Sequence, residues 1–498
     1  MSTIKPTGRK RAAKNISIYA IGTIVRQLAA FIMLPIYTSY LTPADYGIVA
    51  LLALMLSLFE LVLGARFTQA IPKFYYEREH DRERREVITT ALVLTAAVSM
   101  LSVSVLAAFS EPIAHLAFDS AGYSLHVKLY CVVLFTAAME GYGLTYFRIQ
   151  EKPILFVANS IAKLGLQLGL NIYFVVYLQM GVLGVVYSAV ISSTAFGAFA
   201  LLYILYCNGF YIRGQLVKRF IKFSWPLWLA GLAGLYVGSS GQAYIKVFSE
   251  LNDVGLFSLA LKFSAVLGIL IWAPFSQWWQ TERFKLYQAD DKGVSVFPVV
   301  FNAMTIILAI AGMGIVLFGE VVIQLMAAPA FYAAAVAIPF LVVAKLISEL
   351  TNFFKFSFLV TENTLYMTYI GYGSAVTLTV LLFLLIPPFG FMGAAIATMV
   401  NNLLVFAVAS VTSRKFFDNQ IQLGVLNRVM LGFLAITMIN HFFIPESATL
   451  LWNTVYKSGL FALFLVFAIL IALRDSKLNA LYRDLVSYVS LKTRQRRG

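Results

Sequence analysis

The chain has 498 residues, 60% of them hydrophobic and only 12% charged. Soluble domains carry roughly 45–50% apolar and about 25% charged residues, so a water-soluble fold is excluded. The net charge of +15, from 38 Lys and Arg against 23 Asp and Glu, would point to nucleic acid in a soluble protein; in a membrane chain it has to be located first, and no nucleic-acid partner is expected.

Residues 1–14, MSTIKPTGRKRAAK, form a basic tail. The apolar run from Asn15 to Tyr40 is longer than a signal-peptide core and lacks a small-x-small cleavage site, so it is expected to stay as the first helix. Further apolar runs cover 44–72, 87–110, 125–147, 153–178, 182–207, 223–247, 251–279, 295–318, 334–360, 364–386, 390–412, 427–444 and 453–474. At about 20 residues per crossing the fold class is all-α, a polytopic membrane protein of about 14 transmembrane helices. After them Leu478, Leu481, Leu485 and Val489 recur at helical spacing in a basic tail, 475–498, read as an amphipathic helix held on anionic membrane lipids.

Loop charge sets the orientation. With a cytoplasmic N-terminus, thirty Lys and Arg fall on that side, among them Lys5, Arg9, Arg78, Arg85, Lys152, Arg213, Arg219, Arg283, Lys355, Arg428 and Arg497. Only Lys128, Lys246 and Lys457 fall on the other. Losing one helix would scramble every later loop, so both termini are expected to be cytoplasmic.

An internal repeat organises the spans. Asp45 and Gly47 match Asp253 and Gly255 at an offset of 208; GVLG, with Gly181 and Gly184, matches GFMG, with Gly390 and Gly393, at 209. Glu140 matches Glu349 at 209, and Glu151 matches Glu362 at 211. Two six-helix lobes follow, an N-lobe over 15–212 and a C-lobe over 213–415, with 416–474 appended as a hairpin. Six is even, so the repeat is parallel and its axis runs along the membrane normal.

Five basic residues remain inside spans: Arg26, Arg66, Lys163, Lys262 and Lys345. A basic group at the centre of a membrane helix costs at least roughly 2.5–3.5 kcal/mol on insertion scales, so each needs a reason to be there. All but Arg66, which lies nearer a helix end, sit about 15–17 Å deep at 1.5 Å per residue. Asn159, Lys163, Gln167 and Asn171 form one helical stripe, and Lys345, Ser348, Glu349 and Asn352 another; lipid cannot satisfy such stripes. The acids at depth are Glu60, Glu140 and Glu349, and Lys345 with Glu349 can also pair along one helix. Five bases against three acids leave a cationic surplus, which suits an anionic ligand. Pro35, Pro274 and Pro339 are expected to kink their helices, and Gly231, Gly234, Gly238 and Gly241 read as a close-packing stripe before a hinge.

Cys131 and Cys207 sit in apolar runs and read as packing residues. No P-loop, dinucleotide fingerprint, metal spacing or large outer loop is present, so neither an enzyme nor a resident cofactor or metal is expected.

The opening KNISIYAIGTIVRQLAAFIMLPIYTSYLTPADYGIVALLALMLSLFELV, with mid-helix Arg26, Pro35 and the L-T-P-x-D-Y-G turn, resembles the polysaccharide transporters, as do the GVLG and GFMG turns. These are the Wzx-type flippases of lipid-linked oligosaccharides, within the multidrug/oligosaccharidyl-lipid/polysaccharide exporter superfamily. The resemblance implies two lobes around a cavity of alternating access in the bacterial inner membrane, moving undecaprenyl-diphosphate-linked oligosaccharides outward for O-antigen, capsule or exopolysaccharide. A polysaccharide polymerase and chain-length proteins are the implied protein partners. On that analogy Arg26, Arg66, Lys163, Lys262 and Lys345 contact the diphosphate or acidic sugars, and Glu60, Glu140 and Glu349 are candidates for coupling H+ or Na+. The competing readings are a lipid II flippase, a cation-coupled multidrug antiporter, which needs an acidic N-lobe, and least of all a membrane-embedded polymerase.

Overall fold

The computed structural model describes residues 33–63, 67–287, 294, 296–361, 363, 365–443 and 450–475. Among them there is no strand. The first half holds α1 (Leu34–Tyr40), α2 (Pro43–Leu63), α3 (Phe67–Tyr76), α4 (Asp81–Ala108), α5 (Ser110–Phe118), α6 (Ser124–Ile149), α7 (Pro153–Asn171), α8 (Gly181–Asn208) and α9 (Gly214–Phe248). The second holds α10 (Leu251–Val266), α11 (Ala273–Tyr287), α12 (Phe297–Met326), α13 (Ile338–Val360), α14 (Leu365–Ser413), α15 (Gly424–Phe442) and α16 (Leu450–Arg474). Among the described residues ten helical segments are long and apolar enough to cross a membrane.

One of the ten is two crossings. A straight helix of 49 residues would run roughly 74 Å, against about 30 Å of hydrocarbon. In α14, Asn401 Nδ2 donates to Ser374 Oγ at 2.9 Å across 27 residues, which only a doubled-back chain allows. Reversal follows Pro387 and Pro388 at Gly390, whose backbone is left-handed (φ 54°). The arms coincide with the expected spans 364–386 and 390–412.

Positions related by the repeat behave alike. Gly181 opens α8 with φ 56°, beside 54° at Gly390. Three residues on, a methyl on Gly184 would meet the Phe174 carbonyl at 3.1 Å, and one on Gly393 the Leu385 carbonyl oxygen at 1.9 Å. At the start of α2, Thr42 and Asp45 cap each other, Asp45 N donating to Thr42 Oγ1 (3.1 Å) and Thr42 N to Asp45 Oδ2 (3.1 Å). At the start of α10, Ser249 donates to Asp253. These two helix starts touch reciprocally: a methyl on Gly47 would lie 2.2 Å from Leu251 O, and one on Gly255 1.9 Å from Pro43 O. Such an isologous contact is what a two-fold relation between matching segments produces.

The prolines act at helix starts. Pro35 and Pro339 stand in the first turns of α1 and α13, where a missing N–H costs nothing. Pro274 follows the π-helical stretch Leu267–Trp272 that joins α10 to α11, a local widening of the kind that recurs at functional sites. Of the α9 glycines, Gly241 packs on Phe257, whereas Gly234 and Gly238 have open space beside them; close packing therefore holds at one of the three.

Contacts group residues 1–258 and 259–498 into two compact units. The first has a core of Phe74, Val87, Ile88, Met139, Tyr142, Phe147, Ile204 and Phe220, and Cys131 packs with Leu106 and Leu134. In the second, Phe353 of α13 meets Trp279 (5.5 Å) and Phe301 (5.4 Å) ring to ring.

Lys457, counted with the outer-side charges near the start of the expected span 453–474, lies inside α16, has a side chain with 0% exposure and pairs with Glu320 of α12 at 2.5 Å. The pair docks α16 on α12. Removing one partner of a buried pair costs roughly 3–5 kcal/mol; Glu320 is 40% exposed, so Glu320→Gln is expected to cost about 1–3 kcal/mol, read as a lower melting temperature in detergent. Lys457→Met combined with Glu320→Gln should recover most of the loss.

Candidate functional site

The sequence-predicted site residues divide into three groups. Arg26 and Arg66 lie outside the described residues, as does Glu362, and Glu60 is placed on α2 by its backbone alone. Lys262 is half-buried on α10. The remaining four make two ion pairs, one in each compact unit.

In the first unit Lys163 of α7 pairs with Glu140 of α6. The carboxylate is nearly enclosed (7% side-chain exposure) and the lysine is more open (22%). Asn159 and Asn171 of the α7 stripe also face protein. Asn171 is fully buried, donates to Gln167 O at 2.9 Å and accepts from Tyr37 of α1 at 3.4 Å. Asn159, one turn before Lys163, is 5% exposed with neither amide atom hydrogen-bonded.

In the second unit Lys345 and Glu349, one turn apart on α13, pair at 2.7 Å, with 37% and 9% side-chain exposure. Asn352 donates to the Glu349 carbonyl at 3.2 Å and lies 3.4 Å from its Oε2. Gly268, in the π-helical stretch, gives this pair its room: a methyl there would sit 2.7 Å from Lys345 Cε and 3.3 Å from Glu349 Oε1.

Both lysines stand near the middle of segments able to cross a membrane, Pro153–Tyr177 and Pro329–Val360. An ammonium cannot face hydrocarbon at that depth, so its open side faces water or a polar ligand. Near the helix ends the basic residues are held differently. Lys152, just before α7, donates to Tyr203 hydroxyl at 3.0 Å, and that hydrogen bond holds its pKa above the ordinary lysine value. Arg283 stacks on Phe356 (5.0 Å) with its Nε unpartnered. Sequence reasoning missed Gly268, which no pattern in the sequence marks, and the burial of Lys457 against Glu320. No group of three or more His, Cys, Asp or Glu stands ready for a metal among the described residues.

The fold defines an all-α, multi-pass membrane protein with ion pairs near the middle of two of its crossing segments. Residues 12–279, more than half of the chain, match the family described as polysaccharide biosynthesis protein, and the chain belongs to it. No curated protein matches. Among solved structures it is similar to a lipid II flippase, MurJ, in an inward closed conformation, with a TM-score of 0.70 and 12% identity over 95% of this chain and 99% of that one. An inward-facing multidrug resistance MATE family transporter of the MOP superfamily gives 0.55 and 15%, over 80% and 97%. A MOP superfamily transporter from Pyrococcus furiosus, described by the reverse polarity of its binding pocket, gives 0.52 and 14%, over 85% and 100%. At these identities the likeness is one of fold. Family and neighbours are transporters and flippases rather than enzymes.

Proposed function

We propose that the chain is a flippase in the bacterial inner membrane, with both termini cytoplasmic, that carries undecaprenyl-diphosphate-linked oligosaccharide repeat units from the cytoplasmic to the outer leaflet. The product feeds O-antigen, capsule or exopolysaccharide assembly, and a polysaccharide polymerase and chain-length proteins are its partners. Alternating access exposes the basic residues first to one leaflet and then to the other. The observation that carries this reading is the pair of mid-membrane lysines, Lys163 and Lys345, more open than the carboxylates beside them. A lipid diphosphate presents oxygens that accept charge-assisted hydrogen bonds from such ammonium groups. Arg26, Arg66 and Lys262 belong to the same set, and Glu60, Glu140 and Glu349 are its acidic counterparts and coupling candidates.

A lipid II flippase is the second reading, favoured by the likeness to MurJ. Proteoliposomes separate the two readings and the antiporter with three probes: a defined undecaprenyl-diphosphate oligosaccharide, lipid II and a cationic dye. The first is expected to move. Movement of lipid II alone would replace the substrate, and movement of the dye alone would replace the class.

A further inference from the structure

Glu140 and Glu349 occupy matching places in the two repeats, and each is the enclosed member of an ion pair whose lysine is the open one. The lysines do not match. Lys163 reaches Glu140 from the neighbouring helix α7, whereas Lys345 reaches Glu349 from one turn back on α13 itself. What the repeats share is the carboxylate, and each brings a cation to it by its own route.

A lysine neutralised by a carboxylate attracts an anion far less than a bare lysine does. To take a phosphate oxygen the ammonium has to give up part of its bond to the glutamate. Lys345 lies directly over Gly268, where a methyl would stand 2.7 Å from its Cε and 3.1 Å from Nζ, so no side chain at that position hems in the ammonium. A donor also stays behind for the carboxylate, since Asn352 Nδ2 is 3.4 Å from Glu349 Oε2.

We propose that Glu140 and Glu349 are internal counter-ions that compete with the anionic headgroup for Lys163 and Lys345, and so set how readily the headgroup is released. This rests on the reading of those lysines as headgroup contacts. Each binding event loosens an ion pair and each release restores it. Affinity is thereby kept in the range a transporter needs, strong enough for entry and weak enough for exit.

The test uses the purified full-length chain and undecaprenyl diphosphate as the probe, with affinity measured in detergent and translocation in proteoliposomes. The double variant Glu140→Gln/Glu349→Gln is expected to bind about tenfold tighter and to translocate more slowly, a split that a purely structural role does not produce. Glu349→Asp, which keeps the charge, should bind nearly as the wild type does. The double variant Lys163→Met/Lys345→Met should bind at least about a hundredfold more weakly. If the glutamine double variant fails to fold, Glu349→Gln alone carries the same expectation. Weaker or unchanged affinity in the glutamine variants, with the lysine variant still impaired, overturns the counter-ion role and leaves the headgroup reading standing. Unchanged affinity in the lysine variant overturns that reading itself.

Discussion

Gly393→Ala is expected to destabilise the protein by about 3 kcal/mol or more, the largest loss for a one-methyl change at any of the turns described. The methyl would be built 1.9 Å from the Leu385 carbonyl oxygen and 2.4 Å from its carbon. Both are backbone atoms of a reversal fixed by Pro387, Pro388 and the left-handed Gly390, so no flexible side-chain tip can yield. Gly390→Ala meets a different obstacle, a left-handed backbone costing roughly 1–2 kcal/mol, and should be the milder of the two. At the related turn, a methyl on Gly184 meets the Phe174 backbone at 3.1 Å, a contact that a small shift relieves. The expected order of melting temperatures in detergent is therefore Gly184→Ala highest, Gly390→Ala next and Gly393→Ala lowest. A Gly393→Ala protein as stable as the wild type would show that α14 does not turn as described.

Much of this architecture could be read from residue order. The ten described segments able to cross a membrane fall on expected apolar runs, because membrane helices are defined by length and hydropathy, and the matched Asp–x–Gly and Gly–x–x–Gly anchors fall at helix starts and turns with similar local backbone. Asp45 and Gly47 show two kinds of signal: the carboxylate caps its own helix, a local role, whereas the glycine admits the distant backbone of Leu251. The ion pair of Lys457 left no such mark. A buried lysine near a helix end looks like one that reaches the membrane surface in a hydropathy pattern, and only its long-range partner Glu320 reveals it. Charge counting likewise found the surplus inside the membrane, yet it could not assign partners. Lys345 and Glu349 were legible as neighbours at i,i+4, whereas Lys163 and Glu140, on different helices and 23 residues apart, become a pair only through packing. Gly268 has no signature at all, because its role is to leave space for a side chain on another helix.

The proposed function requires basic groups at mid-membrane depth to carry an anionic headgroup across. Arg26 is the basic residue of the motif that resembles the polysaccharide transporters, and Lys163 is the open cation of the first compact unit. Each charge-assisted hydrogen bond is worth roughly 1.5–3 kcal/mol, so losing two weakens headgroup binding by about 3–6 kcal/mol, or about two to four orders of magnitude. Lys163→Met alone would also strand the enclosed Glu140 charge. Arg26→Gln/Lys163→Met is therefore built both on the native chain and on Glu140→Gln, which restores neutrality. The decisive measurement is translocation of a defined undecaprenyl-diphosphate oligosaccharide in proteoliposomes, with inserted protein and melting temperature matched to the wild type. Translocation is expected to fall to the level of protein-free vesicles in both backgrounds; translocation at the wild-type rate by either variant would rule out the cationic path.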